Sequence, residues 1–416
     1  MLNHKEALLN ILVFSQHFWP ENFRINDLVK SLTEKGVAVD VVTGQPNYPG
    51  GHIFDGYRAA SFTKHSWGDA TVYRLPLIPR GRGSALRLIC NYLSFVLTGI
   101  LLAPFALRRK KIDVIFVYAV SPILQAIPAI LVKWIKGAKL VIWVQDLWPE
   151  SLEATGFVRN RWILAMVRIV VRWIYRHADL ILVQSQAFVE PVAALADRKK
   201  VCYYPNSADD VFSSPWRFED CAIDGLNDGF SVVFAGNLGR AQSLETIIGA
   251  AALLKDLPHI RIILVGDGSR ANWMRDEIQI HGLNNVTMAG RYSLESMPAI
   301  LGSAGALLVT LRDEPIFYHT VPSKVQAYLA MGRPIIASMN GEGARILVQA
   351  DAGISCPAED ATSLAAAIKG LAAMSVAERD RLGQNGQNYF QAHYNSNMLT
   401  QTLISHFEKL CENNTI

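Results

Sequence analysis

The sequence predicts an α/β protein made of two Rossmann-like, doubly wound domains that face each other across a cleft. Short β-rich apolar runs alternate with longer helical patterns, which is typical of a parallel sheet covered by helices on both faces. The alternation lapses near Pro205–Asp228 and then restarts. The chain has 416 residues, 50% of them hydrophobic and 18% charged, so it can bury two ordinary cores and is not a disordered protein.

The first domain is predicted over residues 1–206, followed by a linker over residues 207–228 that is rich in Asn, Ser, Asp, Pro and Gly. Helical patterns lie between most of its candidate strands. These strands are Asn10–Ser15, Val37–Thr43, Thr71–Leu75, Asp113–Tyr118, Lys139–Val144, Leu180–Gln184 and Val201–Tyr204.

The second domain is predicted over residues 229–390, and residues 391–416 form a C-terminal helix that could pack back on the first domain. Its candidate strands are Ser231–Gly236, Ile260–Gly266, Asn285–Gly290, Gly305–Thr310 and Arg333–Ser338. Doubly wound sheets bind ligands outside the carboxyl ends of their strands. We therefore expect one substrate to be held mainly by each domain.

The net charge of +4 divides unevenly along the chain. Residues 1–206 hold 25 Lys and Arg against 14 Asp and Glu, and the remainder holds 15 against 22. A basic half favours an anionic partner such as a membrane surface, a phosphorylated substrate or nucleic acid. The five cysteines lie far apart without metal-ligand spacing, and the N-terminus lacks a signal-peptide pattern. We expect a reducing cytosol and no bound metal.

An uncharged stretch, Leu88–Leu107, is long enough to span a bilayer and is flanked by basic residues, Arg80, Arg82 and Arg87 before it and Arg108 to Lys111 after it. It lies between two strands of one sheet, so a single crossing would divide that sheet between compartments. A membrane span, an ordinary core helix and a helix buried in the membrane interface all remain open, and we favour the last.

A second segment, Phe157–His177, contains no acidic residue, and three of its arginines share one helical face: Arg168, Arg172 and Arg176. This composition is typical of a helix on an anionic leaflet, although a helix covering the sheet with its arginines in water is the alternative. Because the basic residues accompany apolar stretches and not aromatic stacking platforms, we expect no nucleic-acid partner.

Motifs after the strands of the first domain supply candidate acceptor groups. The N-terminus of the first helix could receive an anion with the help of Arg24, and a solvated first-turn arginine is the alternative. A turn-rich segment, TGQPNYPGG, could be an acceptor loop or a simple surface loop. The segment WVQDLWPES offers carboxylates that could bind or deprotonate a sugar hydroxyl, with helix capping as the alternative for the first. The predicted acceptor-binding residues are Glu21, Arg24, Asn47, Tyr48, Asp146 and Glu150.

Motifs of the second domain supply candidate donor groups. FAGNLGR lets backbone amides approach an anion beside a fixed cation, and a structural turn is the alternative. VGDGSR and AGRY could present backbone groups to a base, and TVPSK places a lysine at a helix N-terminus, which is unfavourable unless an anion binds there. The predicted donor-binding residues are Gly236, Asn237, Gly239, Arg240, Gly266, Arg291, Tyr292, Ser323, Lys324 and Gln326.

In FWPENFRINDLVKSL, TGQPNYPGG, QDLWPES, GNLGRAQSLE and TVPSKVQAYLAMGRPI the chain resembles retaining GT-B glycosyltransferases of sequence family 4 over nearly its whole length. It is most similar to bacterial O-antigen and capsule L-fucosamine (FucNAc) transferases. The resemblance implies a UDP-N-acetyl-L-fucosamine donor, an undecaprenyl-diphosphate-linked acceptor, and a peripheral position on the cytoplasmic face of the bacterial plasma membrane. It also implies transfer without a metal or other cofactor, since no DxD motif is present.

Departures from the family pattern affect the site. Tyr318 and Gln326 stand where the family carries two glutamates, and its histidine after the fourth strand is replaced within Tyr118–Pro122. The predicted catalytic residues are Asp146, Arg240 and Lys324, the two cations at the leaving diphosphate and the carboxylate at the acceptor hydroxyl. Two alternatives stay open: a GT-B epimerase acting on UDP-N-acetylhexosamine, and a nucleotide-binding module without activity.

Overall fold

The computed structural model describes residues 9–81, 84–154, 160–212 and 223–412. The predicted flank at Arg82, the start of the Phe157–His177 segment and much of the predicted linker lie outside these residues. The chain divides into two compact units, the first made of Met1–Pro205 with Ser396–Ile416, and the second of Asn206–Asn395.

The first unit contains a sheet of eight strands among the described residues, in the order β3-β4-β2-β1-β5-β6-β7-β8. Neighbouring strands run parallel except β3 and β4. The strands are β1 (Asn10–Phe14), β2 (Ala38–Gly44), β3 (Thr63–Trp67), β4 (Ala70–Leu75), β5 (Val114–Ala119), β6 (Lys139–Val144), β7 (Leu180–Val183) and β8 (Val201–Tyr203).

Strand β3 is absent from the sequence expectation of a purely parallel sheet. It pairs with β4 in an antiparallel hairpin around Gly68, whose φ of 54° lies in the left-handed region that favours glycine. Its residues TKHSW are mostly polar and largely exposed, so no apolar run marks it. An edge strand needs to bury only one side, and its pattern is correspondingly weak.

The helices of the first unit cover both faces of the sheet. In its first 205 residues they are α1 (Ile25–Glu34), α2 (Ala85–Ala106), α3 (Ala126–Lys136), α4 (Glu150–Ala154), α5 (Arg161–His177) and α6 (Val189–Ala193). One core cluster forms between the sheet and the layer of α2, α3 and α5, and the other forms on the face of α1. The central strands β5 and β6 are buried on both faces, which explains their nearly continuous apolar runs.

The second unit contains a parallel sheet of six strands in the order β11-β10-β9-β12-β13-β14. Five of its strands match the predicted runs to within two residues at each end, whereas the short edge strand β14 was not predicted. The strands are β9 (Phe230–Ala235), β10 (Ile260–Val265), β11 (Val286–Gly290), β12 (Ala306–Thr310), β13 (Ile335–Ser338) and β14 (Gly353–Cys356).

Helices of the second unit connect these strands and cover both faces. They are α7 (Leu244–Leu254), α8 (Ala271–Ile280), α9 (Met297–Ser303), α10 (Pro315–Tyr318), α11 (Ser323–Ala330), α12 (Glu342–Ala350), α13 (Ala361–Ala373) and α14 (Val376–His393). Two core clusters form on the two faces of the sheet.

The last helix, α15 (Ser396–Glu412), packs on the first unit. The Tyr204 hydroxyl donates to the carbonyl oxygen of Leu399 at 3.0 Å, and the Thr400 hydroxyl lies 2.9 Å from that of Ser31 on α1. The buried Phe407 ring packs edge-on against Phe116 of β5, with the centroids 5.6 Å apart. Both ends of the chain therefore contribute to the core of one unit.

Candidate active site

Three loops at the carboxyl edge of the second sheet are tied together by their backbones. The amide of Gly236 donates to the carbonyl of Val265 at 2.8 Å, and the amide of Gly266 donates to that of Gly290 at 2.7 Å. Gly236 and Gly266 have φ values of 139° and 134°. A side chain at Gly266 would collide with the Gly236 carbonyl, so the close approach of these loops requires glycine.

Lys324, in the first turn of α11, extends beneath this edge and is largely buried. Its Nζ donates to Oε1 of Gln242 at 2.5 Å and lies 3.7 Å from the centroid of the Phe234 ring. A Cβ at Gly236 would lie 2.7 Å from the Lys324 Cε, so the glycine makes room for the lysine. Among the described residues no carboxylate forms an ion pair with this ammonium, and desolvation lowers its pKa to about 7.

The other predicted cation, Arg240, lies on the rim of the same edge. It follows Gly239 in a short 3-10 turn, Arg240–Gln242, and its side chain is exposed. The loop carrying it is anchored to β12, because the Thr310 hydroxyl donates to the backbone carbonyl of Gln242. Ser323 opens α11, where the free amides of the first turn carry partial positive charge. Two cations and a helix N-terminus thus meet at one edge.

Gln326 and Tyr328 of α11 are buried, and their side chains form hydrogen bonds with the backbone. The Gln326 Nε2 donates to the backbone carbonyl of Asn206 at 3.0 Å. The Tyr328 hydroxyl accepts from the amide of Ala235 at 2.9 Å, which fixes the helix to the end of β9. Tyr318, the last residue of α10, donates its hydroxyl to Oδ1 of Asp313 at 2.6 Å.

The loops after β10 and β11 present an ion pair at the surface. Nε of Arg291 lies 3.3 Å from Oδ2 of Asp267, and the neighbouring Tyr292 is exposed. Sequence reasoning missed two further arginines near this edge, Arg270 and Arg312. Both contact Oε1 of Glu245, at 2.7 Å and 3.3 Å. The signal for Arg270 was available, since it follows the glycine turn of VGDGSR directly.

In the first unit, Glu21 is a buried carboxylate that organises the loop after β2. Its Oε1 accepts from the amides of Asn47 and Tyr48 at 2.7 Å and 2.6 Å, and its Oε2 lies 2.9 Å from Nδ1 of His17. Glu21 is 2% exposed. Its carboxylate therefore holds the TGQPNYPGG loop in place, and any contact between the loop and a ligand is made mainly by the residues it positions.

Tyr48 is an exposed residue of that loop, whereas the preceding Asn47 is buried. The Asn47 Oδ1 accepts from the backbone amide of Arg80 at 3.1 Å, and the Arg80 guanidinium lies 5.0 Å from the centroid of the Tyr48 ring. Burial raises the pKa of the Tyr92 phenol. The charge of Arg80 acts in the opposite direction, and Asp146 and Tyr48 raise this pKa further. The structure thus groups Tyr48 with Arg80 and Tyr92, neither of which was predicted as an acceptor residue.

Asp146 lies beyond the end of β6 and is held by the loop after β5. Its Oδ2 accepts from the amide and the hydroxyl of Ser121, at 3.0 Å and 2.9 Å, and the Trp148 indole donates to the same hydroxyl at 3.0 Å. Burial raises the pKa of the Tyr118 phenol. Arg24 lowers this pKa and Asp146 raises it, so both charges lie near the phenol. Arg24 and Asp146 therefore lie on the same region of the first sheet.

Glu150 forms an ion pair with an arginine of α5. It is exposed in the first turn of α4, and its Oε1 lies 3.6 Å from Nη2 of Arg168 on α5. Among the predicted acceptor residues, Glu21 and Asn47 are buried and form hydrogen bonds that order the TGQPNYPGG loop, whereas Tyr48 is exposed. Asp146 is half-buried with its Oδ2 engaged by Ser121.

An apolar surface covers α2, α3 and α5, which pack side by side. The face of α2 on the core buries Asn91, Phe95, Gly99 and Ala103, each four residues after the last. The opposite face exposes Leu86, Ile89, Leu93, Leu97, Leu101 and Phe105. Exposed residues of the other two helices are Trp134, Ile135, Trp162, Ile163, Met166, Ile169 and Trp173. By length and composition α2 could cross a membrane, although 28% of its most apolar window is buried in the unit.

Two Rossmann-like units make up the GT-B fold, and comparison with known proteins places the chain among the glycosyltransferases. Residues 22–207 match the glycosyl transferase 4-like domain, and residues 229–374 match glycosyl transferases group 1. The two matches cover most of both units. The chain is therefore an enzyme of the glycosyltransferase class with these two domains.

Two curated relatives are themselves named as glycosyltransferases. A protein of Escherichia coli (strain K12) named for colanic acid biosynthesis, WcaI, is 26% identical and covers 78% of this chain and 82% of its own length. A Pseudomonas aeruginosa protein, WbjE, is 27% identical over 68% of this chain and 73% of its own.

Solved structures share the fold at low sequence identity. Sucrose-phosphate synthase from Thermosynechococcus elongatus superimposes with a TM-score of 0.71 at 18% identity, over 97% of this chain and 99% of that one. HepE from Anabaena in complex with UDP gives a TM-score of 0.67 at 14% identity, over 96% and 100%.

Proposed function

We propose that the protein transfers a sugar from a UDP-linked donor, with retention of the anomeric configuration, to an undecaprenyl-diphosphate-linked acceptor in polysaccharide synthesis. The motifs shared with FucNAc transferases favour UDP-N-acetyl-L-fucosamine as the donor. The name of the Escherichia coli relative supports a role in polysaccharide synthesis, and the UDP complex of HepE supports a uridine nucleotide.

The observation that carries this proposal is the buried ammonium of Lys324. A lysine without a carboxylate partner is costly in an apolar site, and desolvation lowers its pKa to about 7. A diphosphate would supply the missing anion and would restore the charged form. Because the charge on the diphosphate grows as the glycosidic bond breaks, the ammonium stabilises the transition state more than the bound donor.

Arg240 and the N-terminus of α11 complete the donor end. The exposed Arg240 side chain can close on the diphosphate from the rim, and the amides at Ser323 and Lys324 point partial positive charge at it. In this proposal protein cations do the work of a metal ion. We therefore expect full transfer activity in the presence of EDTA, measured as release of UDP.

At the acceptor end, Asp146 receives a hydrogen bond from the acceptor hydroxyl. Ser121 fixes one carboxylate oxygen, which leaves the other available to the sugar. The proton of the attacking hydroxyl passes to this carboxylate or to the leaving phosphate. Replacing Asp146 by Asn should lower turnover while leaving the affinity for UDP unchanged, since Asp146 belongs to the first unit and the cations that would hold UDP belong to the second.

The apolar surface of α2, α3 and α5 is proposed to lie in the interface of an anionic membrane, on the cytoplasmic face. Its exposed apolar groups far exceed single scattered residues, and exposed arginines of α5, including Arg172 and Arg176, accompany them. Because one face of α2 is packed on the unit along its length, the helix lies along the surface and does not leave it. This favours a peripheral position over a span.

The test is a donor screen against undecaprenyl-diphosphate-linked GlcNAc, with products identified by mass spectrometry. Transfer from UDP-N-acetyl-L-fucosamine supports the proposal, and NMR of the product shows retention if its anomeric configuration is the same as that of the donor. Replacing Lys324 by Ala should reduce turnover by about 100-fold or more. The control is Lys369→Ala, which removes an exposed lysine of α13 in the same unit.

The same screen separates the alternatives. An epimerase converts UDP-N-acetylhexosamine without a lipid acceptor, and a nucleotide-binding module releases no UDP when donor and acceptor are both present. Either result would reject the transfer proposed here. Near-wild-type turnover of Lys324→Ala would reject the role of the lysine.

A further inference from the structure

A cavity of about 470 Å³ lies at the carboxyl edge of the first sheet, beside the TGQPNYPGG loop. Trp19, from the loop after β1, forms one wall, and the segment from His52 to Tyr57, from the loop after β2, forms the other. This volume falls within the range of small-molecule sites. None of the acceptor or donor residues discussed above lines it.

The Trp19 indole is an exposed and rigidly supported apolar platform. It is 44% exposed, and within the described part of the chain its ring neither contacts another aromatic ring nor donates a hydrogen bond. Its backbone is fixed on both sides, because its amide donates to Oδ1 of Asn26 at 2.9 Å and its carbonyl accepts from the Arg74 guanidinium. An exposed indole held in one place is well suited to a ligand with an apolar face.

Arg74 is a buried cation that supports both walls. It is 0% exposed, and its guanidinium lies 5.0 Å from the centroid of the Tyr57 ring while it also donates to the carbonyls of Trp19 and Gly44. Among the described residues it forms no ion pair with a carboxylate. Burying an arginine in this way costs free energy, and its contacts join the Trp19 wall of the cavity to the Tyr57 wall.

Two lining side chains of the cavity, Asp55 and His52, offer hydrogen-bond acceptors. The Asp55 carboxylate is exposed and, in the part of the chain that the structure describes, has neither a hydrogen bond nor an ion pair. Nδ1 of His52 lies 3.1 Å from the Gly50 carbonyl, and since a carbonyl only accepts, the neutral imidazole that makes this contact has its proton on Nδ1 and an acceptor at Nε2. No lysine or arginine lines the cavity, so a phosphate beside Asp55 would be repelled.

We infer that this cavity is a carbohydrate subsite that holds a pyranose ring of the acceptor glycan, next to the ring that receives the transferred sugar. A pyranose has an apolar C–H face for the indole and hydroxyl donors for the carboxylate and the imidazole. The inference rests on the proposed function, because the adjoining TGQPNYPGG loop is the proposed acceptor loop. It adds that the enzyme distinguishes acceptors by the length of their glycan.

The test compares two lipid-diphosphate-linked acceptors that share a terminal sugar, a monosaccharide and a disaccharide. Trp19→Ala should raise the KM for the disaccharide acceptor about tenfold while leaving the KM for the monosaccharide acceptor, the KM for the donor and kcat unchanged. Asp55→Asn should act in the same direction. The controls are Phe62→Ala, an aromatic residue of the same exposure, 44%, and Asp69→Asn, an exposed carboxylate in the β3–β4 turn.

A Trp19→Ala change that is equal for both acceptors, or absent, overturns the subsite. If Trp19→Ala does not fold, Asp55→Asn decides, since its exposed side chain leaves the core intact.

A second measurement keeps the subsite separate from the proposed function. Saturation-transfer NMR with free N,N′-diacetylchitobiose needs no turnover. Signals with the wild type and Phe62→Ala that disappear in Trp19→Ala support the subsite even if no donor is transferred. No signal with the wild type, or an equal signal in Trp19→Ala, rejects it even if transfer occurs.

Discussion

Lys324 shows how a single residue can link proton binding to ligand binding. Its ammonium is desolvated over Phe234 and its pKa is lowered to about 7, so the lysine is largely neutral at pH 8 without a ligand. A bound diphosphate favours the charged form. Binding of UDP at pH 8 should therefore take up as much as about one proton per site.

Calorimetry in two buffers of different ionisation enthalpy measures this proton uptake. Lys324→Met should abolish it, whereas Lys369→Met on the exposed face of α13 should not. Equal uptake in wild type and Lys324→Met would contradict the assignment.

The same residue predicts how stability depends on pH. The folded-state pKa, about 7, lies below the ordinary value of 10.5, so the unfolded chain holds more protons between these values. The free energy of unfolding of the unliganded protein should therefore rise as the pH increases from about 7 to 10.5. Urea titrations across this pH range measure the free energy of unfolding, and in Lys324→Met the increase that comes from this lysine should be absent. If the free energy of unfolding of the wild type, relative to that of Lys324→Met, falls as the pH rises, this prediction is refuted.

Glu21 is a residue whose position in the fold shows why sequence reasoning could find it and still leave its role open. Its carboxylate accepts from two loop amides and contacts His17. Removing a buried acceptor leaves these donors unpaired, so Glu21→Ala should lower the free energy of unfolding by about 3 kcal/mol. Urea denaturation measures the loss, with Glu34→Ala on the exposed side of α1 as the control. Equal free energies of unfolding for the two variants would contradict the role of Glu21 in holding the TGQPNYPGG loop.

At the scale of elements, α2 is the case in which composition was ambiguous and packing is informative. Its sequence alone fits a span, a core helix or an interfacial helix. The buried stripe that includes Phe95 and Gly99 packs on the first unit, and the opposite stripe is exposed. One helix therefore has a protein-facing side and an apolar side that faces outward.

The double variant Leu93→Gln/Leu97→Gln should weaken binding to phosphatidylglycerol vesicles by about tenfold or more, because each change removes a leucine from the apolar surface. Vesicle sedimentation measures the bound fraction, which should also fall at high salt. Ile280→Gln, at an exposed apolar position of α8 in the second unit, is the matched control. Unchanged sedimentation of the double variant would reject the membrane surface.

The predictability of each strand follows its burial. β5 and β6 are buried on both faces and appear in the sequence as continuous apolar runs, so both were predicted. β3 and β14 are edge strands, and their polar or short sequences carry no comparable pattern. Their pairing depends on the neighbouring strand and not on their own residues.

At the scale of the whole molecule, the first unit depends on both ends of the chain. Phe407 of α15 is fully buried against Phe116, in a core that joins residues of α15 to residues of the first 205. Phe407→Ala should lower the free energy of unfolding of this unit by about 3–5 kcal/mol. Thermal and urea unfolding measure the change, and Phe62→Ala, which is 44% exposed, should be nearly neutral. Equal stabilities would contradict the packing of α15.

The sequence by itself determined the fold class, the two domains and the class of enzyme, because periodicity, turn residues and ordered motifs are local and survive without coordinates. It also made Lys324 a candidate donor residue, since a lysine at a helix N-terminus is locally unfavourable unless an anion binds there. Only the tertiary structure decided which side chains meet. Arg80 and Tyr92 lie near Tyr48, and Arg74 joins the backbone of Trp19 to the Tyr57 ring. These contacts join loops that follow different strands, and the sheet brings them together in a way that no local pattern encodes.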